Sequence, residues 1–366
     1  MKKIKILHIF RNLEMGGAQK LIIDIYKNID KEKIEFDFLV SEQGDYDNEV
    51  LSMGCKIYKI PYLTKIGQAK YKKELQNFFN NHKEYSIVHS HIDQVSGIIM
   101  EAAKKSNVKY RIAHSHNTKN SNGILGKIYK YYLQLKILKY ANRYIGCSKE
   151  ACRWLFKNKH KQAYILNNGI DVEKFKFSKE YRKQIRDEFN IKEDNLLIGN
   201  VGRLTKQKNQ KFLLKVFKQY VKENDNVYLM IVGDGKLKKQ LEKKAEKIKE
   251  KVMFVGNRKD INKFYSAFDI MILTSKHEGL AITYIEGRVA DLKCIVSKQL
   301  SENLKEIGND KGLVKYISIK SKIEKWVEAI QEIIGNNEKI EKSNNILDYD
   351  IKKVSKKLEE YYLRIG

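Results

Sequence analysis

Short apolar runs recur along this chain in two series, separated by segments of helical periodicity, and this alternation narrows the fold more than any other feature. The first series is Lys5–Phe10, Phe36–Val40, Lys56–Pro61, Ser86–His91, Tyr110–His114, Arg143–Cys147 and Ala163–Leu166. The second is Leu196–Val201, Val227–Val232, Val252–Val255, Ile270–Thr274, Cys294–Ser297 and Val314–Ile317. Most are continuous and β-favouring, as strands buried on both faces are. Helical patterns such as Ala18–Ile29 and Gln94–Lys105 lie between them. Strands alternating with helices build parallel sheets covered on both faces, so two series predict an α/β chain with two Rossmann-like domains. With 366 residues, 42% of them hydrophobic, the chain has material for both cores.

The boundary is expected within Asn167–Phe175, where Asn-Asn-Gly-Ile-Asp forms a turn cluster ending the first series. The domains expected are 1–168 and 169–344, with 345–366 as a terminal segment. Its stretch Tyr349–Ile365 reads as an amphipathic helix with Val354, Leu358, Tyr361 and Leu363 on its apolar face. No apolar run approaches the roughly 20 residues that span a bilayer. Met1–Phe10 superficially resembles a signal peptide, but its apolar part is short, His8 and Arg11 interrupt it, and no small-residue cleavage site follows. A first strand and a cytoplasmic location are expected instead. Cys55, Cys147, Cys152 and Cys294 lack zinc or redox spacing and read as unpaired thiols in a reducing compartment.

The net charge is +27, and one stretch concentrates cations with almost no acid. Lys127, Lys130, Lys136, Lys139, Arg143, Lys149, Arg153, Lys157, Lys159 and Lys161 face Glu150 alone, with Tyr129, Tyr131, Tyr132, Tyr140, Trp154 and Phe156 interleaved. A basic, aromatic stretch like 127–161 suits an anionic membrane surface, at about 1 kcal/mol per cation. A solvated helix face is the plain alternative. Nucleic acid would feel the same field, but the chain carries no recognised module for it and no such partner is expected.

The densest chemistry follows the run Asp269–Ser275, in Glu278-Gly-Leu-Ala-Ile-Thr-Tyr-Ile-Glu286. Glu278 would sit at a strand's carboxyl end. The turn at Gly279 would lead into a helix whose free N–H groups face an anion, with Glu286 near the first turns of that helix. An acceptor beside an anion site, and a second at ribose distance, suit a nucleotide-sugar. The segment resembles the E-x7-E motif of family 4 retaining glycosyltransferases, the two-domain GT-B group that includes bacterial capsule and exopolysaccharide enzymes. Further resemblances occur in order along the chain. Leu13–Gln19, whose Gly16 and Gly17 let backbone approach a ligand, is similar to the family's "GGAE" loop near the donor diphosphate. Val201–Asn209 resembles "GRLxxxKN", Asn167–Phe175 resembles the interdomain "NGxD…F", and Val232–Gly235 and Val255–Arg258 match two strand-end turns.

This resemblance implies a GT-B architecture, two Rossmann-like domains facing across a cleft, with the C-terminal helix crossing back to the N-terminal domain. It implies transfer of a sugar from a nucleotide-sugar, UDP-sugar above others, to a saccharide or lipid-linked saccharide acceptor at the inner membrane face, with retention at the anomeric carbon. Arg203, Lys208 and the Gly279–Leu280 backbone would meet the diphosphate, Glu278 the sugar hydroxyls, Glu286 the ribose, and Gly256 with Arg258 the base. One histidine is expected at the reactive centre: His116 first, His114 second, with His89 and His91 shaping the acceptor side. The pairs His89-Ser-His91 and His114-Ser-His116 also have the makings of a zinc site, but the family's chemistry needs no metal and no cofactor is expected. A nucleotide-sugar epimerase and a non-catalytic basic subunit of a transferase complex are the alternatives. The chain departs from the family pattern at Ala281, where proline is usual, at Thr274-Ser275, and at Gly287-Arg288.

Overall fold

The computed structural model describes residues 3–118, 124–278, 281–300, 304, 312–335 and 344–366. The chain forms two compact units, Met1–Gly169 with Tyr349–Gly366, and Ile170–Asp348.

In the first unit the strands are β1 (Ile4–Ile9), β2 (Ile34–Val40), β3 (Ile57–Lys59), β4 (Ile87–Ser90), β5 (Tyr110–Ser115), β6 (Arg143–Gly146) and β7 (Tyr164–Ile165). They form one parallel sheet in the order β3-β2-β1-β4-β5-β6-β7. The edge strands β3 and β7 are shorter than their apolar runs, since an edge has a ladder on one side only. The run Gln94–Lys105 divides into a 3-10 turn, Asp93–Val95, and a helix, Ser96–Lys105, after Asp93 takes a positive φ of 39°.

Apolar cores cover both faces of the sheet. The last helix, Ile351–Ile365, is capped by Asp350, whose carboxylate accepts from the Lys352 N–H, and it lies against the helix Gly17–Asn28. It buries Val354, Leu358, Tyr361, Tyr362 and Ile365. Leu363, expected on that face, is exposed. The helical period runs 354, 358, 361/362, 365 and carries position 363 around to solvent.

The second unit holds β8 (Leu196–Val201), β9 (Val227–Val232), β10 (Val252–Gly256), β11 (Ile270–Leu273), β12 (Lys293–Ser297) and β13 (Val314–Ile317). Its sheet is parallel, in the order β10-β9-β8-β11-β12-β13. Each sheet therefore reverses its strand order once, between β1 and β4 in the first unit and between β8 and β11 in the second. Helices after the two flanking strands leave on opposite faces there, which opens a crevice at the strands' carboxyl ends where ligands bind in such folds.

Candidate functional site

At the switch point of the second sheet, two loops are stitched together. One follows β8, the other β11. The Lys276 N–H donates to the Gln207 carbonyl at 2.9 Å, and Gln207 Nε2 donates to the His277 carbonyl at 2.9 Å. Asn209 Nδ2 donates to the Thr274 carbonyl at 3.2 Å, while the Thr274 hydroxyl reaches the carbonyls of Lys208 and Asn209 at 3.2 and 3.1 Å. Asn209 adopts the left-handed conformation as it caps the helix Gln210–Tyr220. These bonds bring Lys208 Nζ to 2.8 Å from Glu278 Oε1, a pair with side chains 18% and 9% exposed. Gly202 permits the approach: at φ +146° it lies under the Lys208 chain, and a Cβ there would stand 3.1 Å from Lys208 Cε.

Arg203, on the same loop, is exposed, and no ion pair engages its guanidinium among the described residues. Lys206 is likewise exposed. The loop thus offers an exposed cation and a cation held by a carboxylate, a pairing suited to an anion that can take over one partner. Gly279 and Leu280 lie outside the described residues. Beyond them Glu286 sits in the helix Ile282–Val289, where the Tyr265 hydroxyl donates to its Oε2 at 2.5 Å. Tyr265 is buried, and burial together with the Glu286 charge holds its phenol well above the usual range, as a fixed donor.

Two expected positions carry structural duties. Gly256 ends β10 in the left-handed region at φ +79°. The Arg258 guanidinium is committed to Glu188 at 2.7 and 3.1 Å and to Asp260 at 2.9 and 3.0 Å, so its side chain ties the loop after β10 to the helix Lys179–Glu188. Arg288 is buried, and its Nη1 donates to the Leu292 carbonyl at 2.6 Å, just past the end of its own helix.

In the first unit, Gly16 and Gly17 open the helix Gly17–Asn28, whose N-terminus has no side-chain cap. Its N–H groups are left for an anion or for water.

The two His-x-His pairs converge, and a fifth histidine joins them. His8, in β1, is directly paired in register with His89 in β4. The sequence reading used His8 only to argue against a signal peptide. His8 Nδ1 lies 3.0 Å from His91 Nε2, and His91 Nδ1 lies 3.0 Å from His116 Nε2. In a second branch, His89 Nε2 lies 3.1 Å from His114 Nδ1, and His89 Nδ1 is 2.6 Å from the Tyr362 hydroxyl. Burial pushes His8 and His116 down to about 3. Burial and then neighbouring imidazoles hold His89, His91 and His114 well below the usual range. These rings are neutral, each with one donor and one acceptor nitrogen, as a hydrogen-bonded chain of imidazoles needs. Asp93 supports the far end: Asn117 Nδ2 donates to it at 2.6 Å, and burial pushes its carboxyl up to about 6.

The basic stretch splits in the structure. Lys136 is salt-bridged to the buried Glu101, and Lys159 caps the Leu138 carbonyl at 2.6 Å and meets the Tyr144 hydroxyl at 3.1 Å. Phe156 is buried, so it is not part of a surface. On the helix Ile124–Tyr140, Lys127, Ile128, Tyr129, Tyr131, Tyr132, Leu135 and Lys139 are exposed, and beyond it Lys149, Arg153, Lys157 and Lys161 are exposed as well. Among the described residues no helix is long and apolar enough to cross a membrane.

Comparison with known proteins converges on one family. The Glycosyl transferases group 1 profile matches residues 181–353. A putative glycosyltransferase EpsF of Bacillus subtilis (strain 168) is 30% identical over 335 residues, covering 89% of this chain and 86% of that protein. The capsular polysaccharide biosynthesis glycosyltransferase CapH of Staphylococcus aureus is 28% identical over 381 residues, covering 98% of this chain and 99% of its own. The crystal structure of Anabaena Alr3699/HepE in complex with UDP matches with a TM-score of 0.79 over 99% of this chain and 100% of that one, at 16% identity, a likeness of fold. The epimerase alternative finds no support among these relatives. With 30% identity sustained over most of its length, and two parallel-sheet units of GT-B type, the chain belongs to the group 1 glycosyltransferases.

Proposed function

We propose that this glycosyltransferase moves a sugar, with retention and without a metal ion, from a UDP-sugar to a saccharide carried on a lipid during assembly of a cell-surface polysaccharide. The observation that carries the reading is the Lys208–Glu278 pair at the switch point of the second sheet, with Arg203 on the same loop. UDP is the first choice because HepE was solved with it, and the polysaccharide setting follows CapH's name.

In this reading Lys208 and Arg203 take the diphosphate and Glu278, released from Lys208 in part, accepts hydrogen bonds from the sugar's hydroxyls. Glu286, oriented by Tyr265, accepts from the ribose. The bond from the anomeric carbon to the phosphate oxygen breaks as the acceptor oxygen bonds to the same face of that carbon. The acceptor's proton passes to the departing phosphate. Cations placed where charge grows on the leaving group stabilise the transition state more than the ground state. His116, or His114 behind it, serves the sugar or the acceptor as a neutral hydrogen-bonding group.

The exposed aromatic and basic side of the helix Ile124–Tyr140 suits the surface of an anionic membrane on its cytoplasmic face, where lipid-linked acceptors are reached. The test is calorimetry of the full chain, with chelator present, against UDP, GDP, ADP, CMP and dTDP. Selective binding of UDP supports the reading. Absence of UDP binding, or binding only after a divalent ion is added, overturns it.

A further inference from the structure

Among the described residues, the largest concentration of ligating groups outside the donor loops is the histidine cluster of the first unit. One ring nitrogen from each of His91, His114 and His116 lies within 4.8 Å of the others. We propose that these three residues form a binding site for a divalent transition-metal ion of the zinc class.

The donor atoms follow from the hydrogen bonds. His114 Nδ1 is taken by His89, and its Nε2 is buried with no hydrogen-bond partner among the described residues. His91 has Nε2 against His8, which leaves Nδ1 to point at His116 Nε2, 3.0 Å away. Nitrogens bound to tetrahedral zinc at about 2.0–2.1 Å stand about 3.3 Å apart, so the His91–His116 pair needs only a slight opening to admit the ion. The ion exchanges one imidazole–imidazole hydrogen bond for coordination, and it gives the orphaned His114 nitrogen a partner.

One arrangement of protons also fits the outer ring, leaving only the buried His8 Nε2–H without a partner among the described residues of that ring. His91 Nε2–H donates to His8 Nδ1, and His114 Nδ1–H donates to His89 Nε2. His89 Nδ1–H then donates to the Tyr362 oxygen at 2.6 Å. Metal-binding imidazoles characteristically donate their second nitrogen in this way, which fixes the ring and its tautomer. The ligands must be unprotonated to bind metal, and burial keeps these rings neutral. A second trio, His8, His89 and His91, satisfies the same distance limit. It is buried throughout, whereas the partly exposed His116 gives an ion a way in. Three imidazoles leave a fourth position for water or an anion.

Occupancy would take the His116 lone pair from the transfer reaction, so the ion would inhibit; that consequence rests on the function proposed above. The binding itself does not. The experiment uses the full chain, stripped with chelator and titrated with cobalt(II) at micromolar concentration. The expected result is one cobalt per chain with the visible bands of a tetrahedral site, bleached by zinc and lost in His116→Gln and His114→Asn. Tyr362→Phe, which removes an outer partner, should weaken cobalt binding by about tenfold. No visible bands, or bands unchanged in His116→Gln, overturns the site. Cobalt spectra report it whether or not the chain transfers sugar.

Discussion

Lys208 and Glu278 are separated by 70 positions, yet a 2.8 Å ion pair joins them. Their closeness depends on small polar groups, Gln207, Asn209 and the Thr274 hydroxyl, that lace one loop to the other. A proline at position 274 would have no hydroxyl to offer those carbonyls. Replacing Lys208 by Met should lower transfer by about a hundredfold or more, the scale of one positioned electrostatic group. Glu278→Gln should keep UDP affinity within a few-fold while losing a similar factor in turnover. Steady-state kinetics beside UDP calorimetry checks both, and near-normal turnover in both variants would remove the pair from the mechanism. The histidines permit a prediction of opposite character. Their folded-state values lie below the unfolded value near 6.5, so between the two the unfolded chain binds more protons. Their contribution is complete above about pH 6.5 and is lost as pH falls toward 3, at about 1.4 kcal/mol per pH unit for each histidine. Urea unfolding of the first unit at pH 6.5, 5.5 and 4.5 should show this slope, reduced by one proton in His8→Gln. A flat profile would mean that the rings are not held neutral. The motifs made His89, His91, His114 and His116 visible in the sequence. His8 and Tyr265 were not, because a single His in a strand or Tyr in a helix acquires its meaning only from the neighbour that the fold supplies.

At the scale of elements, the helix Ile124–Tyr140 explains why composition alone overstates the basic stretch. Leu133 and Ile137 face the helix Ser96–Lys105, and Lys136 joins Lys72 and Lys105 around Glu101. Lys136 thus answers to a buried carboxylate and is not available to lipid. The outward set is smaller and more apolar, with Ile128 64% and Tyr131 55% exposed. Changing Ile128, Tyr131, Tyr132 and Leu135 together to Ser should release the chain from anionic vesicles while UDP binding stays unchanged. Vesicle co-sedimentation decides the matter, and unchanged partition would assign this side of the helix to solvent. Periodicity located most strands and helices, since buried parallel strands announce themselves as apolar runs. Strand ends, the 3-10 turn at Asp93–Val95 and the buried face at Tyr362 and Ile365 were set by ladders and helix packing, which no local pattern encodes.

For the whole molecule, the last helix completes the core of the unit that the first residues begin. Leu358, on the inner face of that helix, is fully buried, so Leu358→Ala should cost the first unit about 2–5 kcal/mol. Saturating UDP, at a hundred times its dissociation constant, should instead stabilise the second unit by about 2.7 kcal/mol. Calorimetric unfolding, read as separate transitions rather than one, should show each change in its own unit; a shift of both transitions together would mean that they unfold as one. The alternation of apolar runs with helical segments by itself determined two parallel α/β sheets, because a buried strand must be apolar along its length and a covering helix on one side only. The glycine, Arg-Lys and Glu-x7-Glu motifs likewise fall just past the carboxyl ends of their strands. Only the tertiary structure decided which strands are neighbours, and so which distant side chains meet: Lys208 with Glu278, Tyr265 with Glu286, and His8 with His91. Strand order follows from long-range packing and crossover handedness, and local sequence does not carry that information.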